Sequence, residues 1–129
     1  MKNGMLRRVV ILASLIFSTW VVAAPMREDV SYQKDVSPIL HDYCLSCHEL
    51  NGKGFDKSGL DMRTYQSLMK GTQFGTIINP GSSLTSILIQ VIEGRVHPAI
   101  KMPLGMNGGL AKDKIELLKK WVDQGAKNN

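Results

Sequence analysis

Cys44-Leu45-Ser46-Cys47-His48 is the stretch from which the rest of the chain is read. Both cysteines of the 129-residue sequence lie in it, three positions apart. A disulfide between them would close a very small loop and gain little from chain entropy. Residues three apart on a helical turn project to the same side. Two thiols so placed can meet one edge of a flat group, and the adjacent imidazole can approach its centre. Cys-x-x-Cys-His is the signature of covalent haem attachment, with Cys44 and Cys47 as thioether donors and His48 as proximal iron ligand. Three rival uses fit less well. A thioredoxin-like redox pair expects a preceding strand and a parallel sheet. A structural zinc site wants four ligands, and His41, His48 and His97 supply no second Cys pair. A lone structural disulfide meets the entropy argument above.

Working outward, Ser37-Pro38 reads as a helix start, with Ser as cap and Pro at the first helical position. Val36, Ile39, Leu40 and Tyr43 share one face of that helix, which runs into Cys44. Residues 49–61 are rich in Gly, Lys, Asp and Asn and read as a loop. Thr64 caps a short helix ending before Gly71, with Leu68 and Met69 turned inward. Asn79-Pro80-Gly81 marks a turn. Ser83 is expected to cap a helix with Leu84, Ile87, Leu88, Val91 and Ile92 on its apolar face, ended by Gly94. Residues 95–109 form a Pro- and Gly-rich loop without helical period. A last helix over residues 112–124 buries Ile115, Leu118, Trp121 and Val122 and stops at Gly125. No segment alternates as a strand, and no internal repeat is present. The expected fold is all-α, a small single domain whose helices pack around one covalently bound haem.

The first 23 residues read as a signal peptide outside that fold. Lys2, Arg7 and Arg8 precede the apolar run Val9–Val22, and small residues Ala23 and Ala24 follow. Cleavage after Ala23 leaves a mature domain over residues 24–129, in the periplasm or an equivalent exported space. Membrane association is expected only if the segment stays uncleaved, and the apolar run is short for a spanning helix. The formal charge is +5. The leader holds three of the sixteen Lys and Arg and none of the eleven acids, which leaves +2 on the remainder. That balance does not argue for nucleic acid or an anionic membrane as partner. Lys112, Lys114, Lys119 and Lys120 read as the wet face of the last helix.

The second axial position of the iron has several candidates: Met26, Met62, Met69, Met102, Met106, His41 and His97. Methionines in a helical domain are mostly core filler, and Met62 and Met69 suit that role. Met102 lies instead in the irregular loop, just before Pro103, whose fixed φ stiffens the approach. Met106 and His97 are the alternatives. His41 is expected to face solvent and Trp121 to pack between helices.

The mature chain resembles a class I c-type cytochrome, and most closely the planctomycete-type cytochrome c domain. The resemblance spans about residues 30–126. It rests on Tyr32–Leu40 leading into Cys44–His48, then Gly59-Leu60-Asp61-Met62, Ile78-Asn79-Pro80-Gly81 with Ser83-Leu84, Lys101-Met102-Pro103, and Ile115–Ala126. It implies a helical haem-binding fold, His48 as proximal ligand and Met102 as distal ligand. Two positions depart from the pattern: Ala111 stands where a Ser or Thr cap is usual, and Leu104 where a second Pro is frequent. The function expected is one-electron transfer between redox partner proteins, not enzymatic turnover, because a six-coordinate iron has no free site. The alternatives are a haem subunit of a larger oxidoreductase, or an open-site peroxidase or sensor with Arg95, His97 and Lys101 as distal polar groups.

Overall fold

The computed structural model describes residues 28–129. The leader, the expected cleavage point and Met26 lie outside the described residues. The domain is helical and, among the described residues, has no strand beyond an isolated bridge between Thr72 and Gly75.

Helix α1 is composite, running over residues 32–45. A wide π-helical turn, Tyr32–Val36, leads into an α-helical turn, Ser37–Leu40, and a second π-helical turn, His41–Leu45. The helix therefore starts five residues before Ser37. Its cap is Ser31, whose hydroxyl accepts from the Lys34 amide at 3.2 Å while Asp35 accepts from the Ser31 amide at 2.8 Å. Pro38 sits inside the helix, where its ring would crowd the carbonyl four residues back. The π turn just before it answers that strain: Val36 reaches back to the Ser31 carbonyl and Ser37 to that of Tyr32, each five residues away.

Helix α2, Lys53–Ser58, lies within the segment expected to be only loop. Helix α3, Tyr65–Lys70, has the expected Thr64 cap, whose hydroxyl accepts from the Ser67 amide while the Ser67 hydroxyl accepts from the Thr64 amide. Helix α4, Ile87–Glu93, begins later than expected. Ser86 precedes it and is buried, its hydroxyl accepting from the Asn79 amide at 2.8 Å and donating to the Ser82 carbonyl at 2.8 Å. Ser83 does not cap a helix; its amide and hydroxyl both bond to Asp123, at 2.7 and 2.9 Å. With the start displaced, the buried face turns to Leu88, Ile89 and Ile92, while Leu84 and Ile87 are exposed. Gly94, at φ +74°, ends α4 as expected. After a single 3₁₀ turn, Pro98–Ile100, helix α5 spans Lys112–Asp123. Ala111 gives it no side-chain cap.

The core lies where α1, α3 and α5 meet. Trp121 is fully buried, and its ring centroid is 5.6 Å from that of Tyr32. Tyr65 meets Tyr32 edge-on at 5.1 Å. The polar ends of two of these rings are satisfied by the C-terminal residues: Trp121 Nε1 donates to the Lys127 carbonyl at 2.9 Å and the Tyr65 hydroxyl to that of Ala126 at 2.8 Å. Chain segments far apart in sequence are laced alongside, with the Tyr32 amide donating to the Asn129 side chain and the Val30 amide to Gln124. Of the four lysines assigned to a wet face, Lys112 and Lys120 are exposed. Lys119 instead joins α5 to the end of α4 through Glu93 at 3.1 Å, and Lys114 lies 5.8 Å over the Tyr43 ring. No helix of the described residues is long and apolar enough to cross a membrane.

Candidate haem-attachment site

The second π turn of α1 carries Cys44, and the chain then tightens. The amides of Cys47 and His48 both return to the Cys44 carbonyl, at 3.2 and 3.1 Å, and that of His48 also to the Leu45 carbonyl at 3.0 Å. No disulfide joins the two cysteines on this turn; Cys44 is half-buried and Cys47 exposed. Burial, and then the neighbouring Cys47, push the Cys44 thiol up to about 11. It is therefore a protonated thiol at neutral pH.

His48 is buried, with 8% of its surface exposed. The segment after it folds back to hold it there. The amides of Gly54 and Phe55, in the first turn of α2, donate to the Cys47 carbonyl at 2.8 and 2.9 Å, and the Met62 amide to the His48 carbonyl at 2.8 Å. Burial holds the imidazole below its ordinary pKa, and the Leu60 carbonyl works the other way. That carbonyl does not reach hydrogen-bonding geometry, so Nδ1 is enclosed without a partner. The ring is thus neutral at pH 7, as metal ligation by a nitrogen lone pair requires.

Met102 is half-buried against the core, its amide donating to the Val91 carbonyl of α4 at 3.0 Å; the peptide bond to Pro103 is cis. Met106 is 41% exposed. His97 is exposed and uses its ring locally, accepting from the Ala99 amide at Nδ1. Met62 is buried and Met69 packs against the core, both as expected of filler. His41 faces solvent beside Asp42. The structure therefore gathers Cys44, Cys47 and His48 on one turn and places Met102 on a separate loop. No hydrogen bond joins that loop to residues 44–62 among the described residues. A cleft of about 760 Å³ lies elsewhere, between the end of α4 and α5.

Gly52 and Gly54 were not singled out by the sequence reading. A Cβ on Gly52 would stand 2.4 Å from the Cys47 carbonyl oxygen, and one on Gly54 would stand 2.7 Å from Cε1 of His48. Two glycines spaced by one residue, just after the motif, are the local signal for such close approach.

Residues 44–103 match the family model described as Planctomycete cytochrome C. No significant match to a curated protein or to a solved structure was found. The donor set fits a covalently bound haem c. Two thiols share a turn, a neutral imidazole is enclosed with one nitrogen orphaned, and the backbone beside it is bare glycine. Residues 44–103, with Cys44–His48 at one end and Met102-Pro103 at the other, thus match the Planctomycete cytochrome C family model, the family that the sequence resembles.

Proposed function

We propose that the mature chain, residues 24–129, is an exported mono-haem cytochrome that passes single electrons between protein partners. The observation that carries the reading is His48, a buried neutral imidazole held beside two thiols on a single turn. Haem bound there supplies a one-electron iron couple. Cys44 and Cys47 hold it by thioethers, so it stays attached to a domain too small to enclose it fully. His48 would be one protein ligand to the haem iron and Met102 the other, a pair that would favour electron transfer over substrate binding and a higher potential than two histidines would give.

The burial of Met102, against the exposure of Met106 and His97, supports that choice. The groups that an open-site enzyme would use have other engagements. Arg95 bonds to Glu93 and to the Leu84 carbonyl. His97 caps its own turn. The Lys101 side chain lies along Gly94 and Gly109, within 3.2 and 3.5 Å of where their Cβ atoms would be.

Spectroelectrochemical titration should give one Nernst transition with a slope of about one electron, and pyridine haemochrome analysis about one haem per chain. Multiple transitions, or a high-spin ferric spectrum that takes up small ligands readily, would refute the carrier reading. For export, N-terminal sequencing of the periplasmic protein should begin at Ala24 or within about two residues of it. Recovery of Met1 from membranes would instead indicate a retained anchor.

A further inference from the structure

We infer that Gly54 is a positioning residue for the proximal ligand: its bare Cα is the wall against which the His48 ring is seated. The inference rests on the reading of His48 as an iron ligand. An added Cβ at position 54 would lie 2.7 Å from Cε1 and 2.9 Å from Nδ1 of the ring, well inside van der Waals contact. The wall is itself fixed. The Gly54 and Phe55 amides clamp the Cys47 carbonyl, and the Ser58 hydroxyl donates to the Gly54 carbonyl at 2.6 Å. On the far side of the motif, the Met62 amide holds the His48 carbonyl. The backbone on both sides of the ring is thereby tied to the attachment turn. The edge carrying Nδ1 and Cε1 faces α2, and Nδ1 is sealed in without a partner. Nε2 is left as the nitrogen available to a metal. A side chain at position 54 would also meet the Cys47 carbonyl oxygen at 2.9 Å, but its shortest approach is to the ring, which it would turn from that setting, weakening its bond to iron while leaving both thioethers intact.

The test is Gly54→Ala in the holoprotein, read by EPR of the ferrous nitric oxide adduct. In that adduct a weakened proximal ligand is released, giving a five-coordinate signal. The ratio of five- to six-coordinate signal should rise about tenfold, the factor set by an off-rotamer side chain at the upper end of its cost. Covalent haem per chain should be unchanged. Lys57→Gly is the control, because it weakens α2 at an exposed position away from the ring. It should lower the melting temperature without altering the nitrosyl spectrum. An unchanged spectrum in folded, haem-loaded Gly54→Ala overturns the inference. Should that variant not accumulate, the wild-type ferrous protein decides by NMR. A nuclear Overhauser effect between the His48 Cε1 proton and the Gly54 α-protons is expected, and its absence also overturns the inference. Failure of the underlying reading looks different: His48→Ala would then leave the wild-type axial spectrum intact.

Discussion

Met102→His is expected to remove the weak red-edge absorption band of ferric sulfur ligation and to lower the reduction potential, with haem content unchanged. The reasoning joins the loop to the core. The Met102 amide is anchored to the Val91 carbonyl of α4, its side chain packs against the core, and Pro103 follows. A side chain held that way is presented from protein, not from solvent. Replacing its sulfur by imidazole exchanges a ligand that favours ferrous iron for one that favours ferric iron. Met102→Ala should open the position, convert the ferric protein to high spin and admit exogenous ligands. Met106→Ala should leave the band in place, since Met106 is exposed where Met102 packs against the core. His97→Ala should do the same, since that ring caps its own 3₁₀ turn. A wild-type protein that lacks the band, and loses its low-spin spectrum only with His97→Ala, would show bis-histidine ligation instead.

The double substitution Cys44→Ala, Cys47→Ala should abolish covalent holoprotein. Wild-type protein should keep its haem through denaturing electrophoresis, because thioethers survive unfolding, and the double variant should show none. Fold loss should accompany haem loss. The described core holds eighteen buried hydrophobic side chains, with Trp121, Leu118, Leu68 and Ile89 among the fully enclosed, and a domain of this size gains much of its remaining stability from a bound apolar group. Haem that extracts from the wild-type protein into acidic organic solvent would refute covalent attachment.

The parts of the fold that were legible in advance are those set by local chemistry. Thr64 caps α3 because a threonine hydroxyl can reach an orphan amide three residues on, whatever surrounds it. Gly94 ends α4 because a left-handed φ costs glycine little. Leu118, Trp121 and Val122 face inward because the period of α5 is long enough to define a stripe. The attachment site was legible for a related reason: spacing alone puts Cys44, Cys47 and His48 on one turn.

Errors arose where a distant partner overrode a local preference. Ser83 has the composition of a cap, yet Asp123, forty residues away, takes both its amide and its hydroxyl. That displaces the start of α4 to Ile87 and rotates its buried face, exposing Leu84 and burying Ile89. Pro38 reads as a helix start, but Ser31 and Asp35 cap the chain earlier, and a π turn absorbs the proline. Lys119 reads as a solvated charge until α4 brings Glu93 to it.

By itself, then, the sequence determined an all-α chain with Cys44, Cys47 and His48 on one turn and a methionine-bearing loop, because hydrophobic period, capping chemistry and the Cys-x-x-Cys-His spacing act within a few residues. Tertiary structure alone decided the state of the site. Burial of His48, and with it a neutral ring, required residues 52–62 to fold back over the motif. The need for glycine at position 54 exists only once the backbone comes that close to the imidazole. Desolvation and steric approach depend on what lies beside a group in space, which adjacency along the chain does not specify.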